Sequence, residues 1–330
     1  MRASLVIASH NEGQSLWRTV QSCLDTTEGL DCEIVVDDDA STDGSLVELE
    51  RFPQIRVVSH EERLGVSPTK DLAGRSSVGD VLIFLDGHCK PEPGAIARLI
   101  ADVEATGGLA IVTPACSALD TQRWENNPYR VGQGFRIDLE QFDGGWTGLD
   151  DLRVADETPW LRESPALIGC VMATSRATYE RLRGFDPDMR IYGSEDLDFG
   201  LKAWLMGHPI LHDPAAVIGH RFRSSFDDYT VPMEHPVANQ IRMARKNFTE
   251  PVWREWVERA RIRHPAWLWQ LAWSAFEERR ASAEGEREYL MANRVRDEFW
   301  YASRFGLDWP ALPTPAEQPE SSDSMALTPR

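Results

Sequence analysis

The first ninety residues alternate between two kinds of hydrophobic pattern. Short unbroken apolar runs occur at Leu5–Ala8, Ile34–Val36 and Val81–Leu85, and Ile55–Val58 reads as a further strand. Between them, apolar residues recur at helical spacing, as in Leu16, Val20 and Leu24, and helices are expected over Ser45–Arg51 and Pro68–Ser76. Continuous apolar strands separated by helices predict an α/β fold, a parallel sheet with helices on both faces. Ligands in such folds bind beyond the carboxyl ends of the strands. Two acidic clusters, Asp37–Asp39 and Asp86 with His88, fall at that edge.

Periodicity is weak over 120–160, which is polar and Gly-rich and reads as a long loop over the site. Ala166–Ala173 is apolar again. Leu197, Leu201, Trp204 and Leu205 form a helical stripe that starts at Gly193-Ser194-Glu195-Asp196, with Ser194 expected as its N-cap. Ala216–Gly219 is a short strand running into His220. From Pro236 the pattern is helical, with one face marked by Trp269, Trp273 and Phe276 and another by Ala292, Val295, Phe299 and Ala302. The expected organisation is a catalytic α/β domain over 1–235, a helical appendage over 236–310, and a disordered tail over 311–330 that carries few large apolar residues.

A formal charge of -18 argues against a general nucleic-acid or anionic-membrane surface, because phosphates would be repelled. A nucleotide in a local pocket remains compatible, since a metal ion and a few Arg or Lys residues set the field there. Five cysteines are odd in number, scattered, and without a CxxC pair, a usage that favours a reducing compartment and offers no structural zinc site. The first strand begins almost at Met1, leaving no room for a signal peptide, and Trp267–Phe276 is too short to span a bilayer. The expectation is a cytoplasmic protein with no membrane span.

Asp86-Gly87-His88 ends a buried strand on a carboxylate and an imidazole, donors suited to a divalent cation of Mn²⁺ type, though the tripeptide alone reads more readily as a turn. Asp37–Asp39 could accept from a base or a ribose, or cap the next segment of chain. His220, with Arg221 and Arg223 behind it, is a candidate metal ligand beside a candidate phosphate contact, or a core histidine. Glu195 and Asp196 suit either a helix start or a catalytic carboxylate.

Taken together, "VIASHNEGQSLWRTVQSCL", "EIVVDDDAS", "ERLGV…FLDGHC", "ESPALIGCVMATSRATYERLRGFDP", "GSEDLDFGLKAW" and "VIGHRFR…YTVP" resemble, in order and spacing over roughly residues 3–260, the GT-A nucleotide-sugar glycosyltransferases of family-two type. The likeness is greatest to the polypeptide N-acetylgalactosaminyltransferases. It implies a GT-A fold and a metal-dependent transfer of a sugar (GalNAc, GlcNAc or Glc) from a UDP-sugar to an acceptor hydroxyl, with Mn²⁺ or Mg²⁺ as cofactor. The implied acceptor is a peptide or protein. A polysaccharide or small-molecule acceptor, or a non-catalytic nucleotide-binding subunit, is the alternative.

Position by position, the resemblance assigns Asp86, His88 and His220 to the metal. Ala8, Asp39, Arg63, Asp86, Gly87, Gly169 and Tyr192 go to the nucleotide-sugar, and Arg223 and Tyr229 to a flap over the diphosphate. Tyr192 stands where the family usually has Trp. Asp196 stands where the animal enzymes have Asn, which leaves retention or inversion of the anomeric centre open. An acid at a helix start is expected to keep a low pKa. The membrane anchor and lectin domain of the animal enzymes have no counterpart in this sequence, so a Golgi location is not implied.

Overall fold

The computed structural model describes residues 1–223 and 230–311. The chain begins β1 (Ala3–Ser9), α1 (Gln14–Thr26), β2 (Cys32–Asp38), β3 (Arg56–Ser59), α2 (Val66–Ser76) and β4 (Val81–Asp86). It continues through β5 (Cys89–Pro91), α3 (Ala95–Ala105), β6 (Ile111–Asp120), β7 (Glu125–Gly132), β8 (Phe135–Ile137), β9 (Gly144–Trp146), β10 (Arg153–Val154) and β11 (Arg162–Glu163). Then come β12 (Val171–Ser175), α4 (Arg176–Arg181), α5 (Glu195–Leu205), β13 (Ile210–His220), α6 (Glu234–Asn247), α7 (Glu250–Arg263), α8 (Ala266–Glu277), α9 (Arg280–Asn293) and α10 (Glu298–Phe305).

The main sheet runs β10-β11-β13-β6-β12-β4-β1-β2-β3, with β5 on β13 and β7 on β6. Strands β3, β2, β1 and β4 are mutually parallel, in the nucleotide-binding order 3-2-1-4. Their order reverses between β1 and β4, where Ala8 lies level with Asp86. Beyond β4 the sheet is mixed: β12 is antiparallel to both β4 and β6, and β13 returns parallel to β6.

Residues alternate between the two faces, as the pleat requires. Leu5, Ile7, Ile83 and Leu85 pack with Leu16 and Val20 of α1 and Ile96 and Leu99 of α3. Val6, Leu82, Phe84 and Met172 pack on the opposite face, in a core that continues without a break into Leu201 and Trp204 of α5 and Trp253, Trp256, Trp269 and Phe276 of the later helices. Trp256 stacks between Phe142 and Trp253, with centroids at 5.3 and 6.1 Å. A charged clasp reinforces this layer. The Arg242 guanidinium holds Asp186 through two bonds of 2.8 and 2.9 Å, and Lys246 bridges Asp186 and Asp198.

Three expectations are corrected. The 120–160 region is not a structureless loop: β7 lengthens the sheet, β8 and β9 form a hairpin, and Phe142 is buried under the late helices. Its weak periodicity reflects short edge strands. Ala292, Val295, Phe299 and Ala302 do not share one helix face, because the chain leaves α9 at Arg294 and re-enters a helix at Glu298, with the Val295 side chain 71% exposed. Ser194 occupies the cap position of α5, but its side chain makes no capping bond. The 311–330 expectation falls, beyond Ala311, outside the described residues. Among the described residues no helix is long and apolar enough to cross a membrane.

Candidate active site at the switch point

A cleft of about 300 Å³ opens at the carboxyl ends of β1 and β4. Its position follows from topology, because the connections on either side of the switch point diverge and leave a crevice. Ala8, Asp39, Arg63, Asp86, His88, Gly169, Tyr192, Glu195, Asp196, His220 and Arg223 all line it, so the fold gathers eleven of the sequence-predicted residues. No residue of the 120–160 region lines it.

Asp86 and His88 leave β4 on a tight turn fixed by Thr19 of α1, whose hydroxyl donates to the Gly87 carbonyl and accepts from the Cys89 N–H. His220 arrives from the far end of the chain because β13 pairs antiparallel with β5, setting His220 opposite Cys89. The result is one carboxylate and two imidazoles whose donor atoms lie within 4.8 Å of one another. The two Nε2 atoms are 3.0 Å apart, and His220 Nε2 is 3.4 Å from Asp86 Oδ2. The Glu12 carboxylate accepts from His88 Nδ1 at 2.9 Å. With its proton on Nδ1, His88 presents a bare Nε2 lone pair to the centre. A mixed O/N set of this kind fits a Mn²⁺-type cation.

Asp39 is buried, with its two oxygens accepting from the backbone N–H groups of Leu64 and Gly65. It shapes the 60–65 turn that carries Arg63. The Arg63 guanidinium donates to the Thr230 carbonyl at 2.7 Å, reaching the chain on the far side of the 224–229 segment. Tyr229 lies in that segment, outside the described residues. The turn is stitched to the loop bearing Tyr192: Val66 N–H donates to Ile191 O and Ile191 N–H to Leu64 O. Gly65 permits this approach, because at φ +107° a Cβ would sit 2.1 Å from the Ile191 nitrogen. Asn239 of α6 donates to the carbonyls of Arg190, Tyr192 and Gly193, fixing the loop from the helical layer. Gly87 does not line the cleft. The space its side chain would fill is taken by Glu12, whose Cγ a Cβ there would meet at 2.8 Å.

Glu195 and Asp196 enter the cleft wall at the start of α5. Asp196 Oδ2 accepts from Gly169 N–H at 2.9 Å and Oδ1 from Leu197 N–H at 2.8 Å. The low pKa expected for Asp196 is not found. Burial raises it, and the Gly169 N–H and Lys70 only partly oppose that. Burial, followed by repulsion from Asp196, pushes Glu195 up to about 7. For Asp86, burial acts upward but is outweighed by Lys70, His220 and His88, which hold the carboxyl well below the usual range.

Lys70 carries no mark of a site residue in the sequence. Its ammonium, 1% exposed, donates to Gly169 O at 2.8 Å and lies 3.2 Å from Asp86 and 3.7 Å from Glu195. Burial alone would lower its pKa, yet Asp86, Glu195 and Asp196 raise it. Its neighbours on α2 are small, Ser67, Ala73 and Gly74, so no apolar stripe marks the buried face. Glu12 is equally unmarked, although it lies inside the His10-Asn11-Glu12 stretch that carries part of the family resemblance.

Comparison with known proteins agrees with this geometry. The profile for "Glycosyl transferase family 2" matches residues 4–154, and that for "N-terminal domain of galactosyltransferase" matches 152–220. Polypeptide N-acetylgalactosaminyltransferase 3 of Taeniopygia guttata is 31% identical over 281 residues, covering 78% of this chain and 44% of that protein. Polypeptide N-acetylgalactosaminyltransferase 6 of Mus musculus is 33% identical over 258 residues, covering 73% and 41%. The chain thus spans less than half the length of these two curated relatives. The crystal structure of GalNAc-T7 with UDP, GalNAc and Mn²⁺ superposes with a TM-score of 0.71 at 20% identity, over 93% of this chain and 56% of that one. The mannosyltransferase of Pyrobaculum calidifontis in complex with GDP-Man and Mn²⁺ superposes with a TM-score of 0.51 at 18% identity, over 88% and 85%. These superpositions establish a GT-A-type fold, and the sequence matches show a glycosyl transferase family 2 segment over residues 4–154 and similarity to the polypeptide N-acetylgalactosaminyltransferases.

Proposed function

We propose that this protein transfers a sugar from a UDP-sugar to a hydroxyl of a peptide or protein, in a reaction that requires Mn²⁺ or a similar divalent cation. The observation that carries the proposal is the convergence of Asp86, His88 and His220 at the switch point, with the Glu12 carboxylate 2.9 Å from His88 Nδ1. GalNAc, GlcNAc and Glc are the candidate sugars, and the names of the relatives favour GalNAc and a polypeptide acceptor.

When bound, the cation supplies charge neutralisation for the departing diphosphate. Arg63 and Arg223, which both line the cleft, supply further positive charge toward the phosphates. Gly169 N–H fixes one oxygen of Asp196, and this carboxylate takes the proton from the acceptor hydroxyl as that oxygen attacks. Lys70 holds Asp86 and Glu195 together in the cleft wall. The five cysteines are all free thiols, four of them buried, which supports a cytoplasmic, reducing location.

The test is release of UDP from UDP-GalNAc, UDP-GlcNAc and UDP-Glc, with and without a Ser/Thr peptide. EDTA should abolish release and added Mn²⁺ restore it, while His220→Ala should weaken both Mn²⁺ and UDP binding with an unchanged circular dichroism spectrum. Full turnover in EDTA would refute the proposal.

A further inference from the structure

Glu12 lies in the turn between β1 and α1, outside the donor triad, and is buried. A single oxygen, Oε2, receives the Nδ1 of His88 at 2.9 Å and the Arg223 guanidinium at 2.5 Å. The turn is built to hold it there. Asn11 takes a left-handed φ of 52°, and its side-chain oxygen accepts from Thr42 N–H. Gly13 N–H donates to Asp43 and Ser15 N–H to the Glu12 carbonyl. The route from Glu12 to His88 exists only because residue 87 has no side chain.

We infer that Glu12 is a positioning residue for the metal site: it fixes the His88 tautomer and orientation, and it ties the chain after β13, through Arg223, to that same histidine. The inference rests on the metal-dependent transferase reading. A neutral imidazole carries one proton. A carboxylate at Nδ1 claims it, leaving Nε2 to face Asp86 and His220. Without that acceptor the ring is free to place its proton on Nε2, which cannot then ligate, and free to rotate. Outer-shell partners of this type are worth about 10–100-fold in metal affinity. Arg223 donates to the same oxygen, with its guanidinium 3.5 Å from His88 Nδ1, and so braces the carboxylate beside that histidine.

The experiment uses the full chain without donor. Mn²⁺ affinity is read by electron paramagnetic resonance of the free ion for the unaltered protein, Glu12→Gln and Glu12→Ala. The His88 tautomer is read separately from ¹⁵N chemical shifts in the metal-free, histidine-labelled protein. Affinity should fall about 10-fold in Glu12→Gln and up to about 100-fold in Glu12→Ala. His88 should carry its proton on Nδ1 in the unaltered protein and populate both tautomers in Glu12→Ala. Glu12→Gln preserves the shape of the side chain and serves as the folded control should the alanine variant unfold. Unchanged affinity and an unchanged tautomer in the variants would overturn the inference. If the unaltered protein itself fails to bind Mn²⁺, the transferase reading falls instead, and the tautomer measurement alone decides the role of Glu12.

Discussion

Replacing Lys70 with Met tests whether the buried ammonium holds the acidic wall of the cleft together. Methionine has nearly the length and volume of lysine, so the change removes charge and hydrogen bonding and leaves little cavity. At an effective dielectric of about 20, attractions over 3.2 and 3.7 Å amount to roughly 5 and 4.5 kcal/mol before the cost of desolvating the ions. That cost makes the intact cluster only modestly stabilising. Removing one partner is different, because the buried Glu195 and the partly buried Asp86 are left without their cation, and breaking a buried pair in this way costs about 3–5 kcal/mol. Gly169 O also loses its donor. With a urea slope of about 3 kcal/mol/M, the unfolding midpoint of Lys70→Met at pH 8 should drop by about 1 M or more. The penalty should shrink at pH 5. Glu195, which titrates at about 7, is then protonated and no longer leaves a bare charge. Adding Glu195→Gln to Lys70→Met should recover part of the loss, an interaction that a double-mutant cycle isolates. A loss under about 1 kcal/mol at pH 8, or an equal loss at both pH values, would refute the role given to Lys70.

Asp196→Asn keeps the bond from Gly169 N–H but removes proton uptake, so transfer should fall by at least about 100-fold with UDP affinity within about threefold of the unaltered protein. Intact transfer by Asp196→Asn would remove the base assignment, and NMR of the product linkage should then show a retained anomeric configuration. The pH dependence follows from Glu195, whose carboxyl is raised from its ordinary 4.5 to about 7. The folded protein therefore keeps a proton that the unfolded chain releases, so this group favours the fold below about 4.5 and loses that contribution as pH rises through about 7. Transfer should rise through the same limb near pH 7 as Glu195 ionises. Glu195→Gln should flatten that limb and reduce the loss of thermal stability between pH 5 and 8.

The sequence alone determined the parallel half of the sheet and the edge at which chemistry gathers. Val81–Leu85 is fully buried, and a strand covered on both faces must read as an unbroken apolar run. The same argument located β1 and β2, and with them Asp39 and Asp86 at strand ends. Sequence did not reveal α3 or β6, nor that β12 enters antiparallel between β4 and β6. Periodicity reports which faces are buried and is silent on the partner that buries them.

The metal triad shows the same division. His220 was a candidate from its flanking strand and arginines, but its meeting with His88, 132 positions away, is decided by the pairing of β13 with β5. Lys70 and Glu12 were invisible as site residues, because a charge on a helix or turn looks solvated until distant segments close over it. The ionisation of Asp196 was misjudged for a related reason. The helix start favours its charge from within the local sequence, whereas the dry wall formed with Gly169, Glu195 and Lys70 exists only in the folded chain, and there desolvation outweighs the local field.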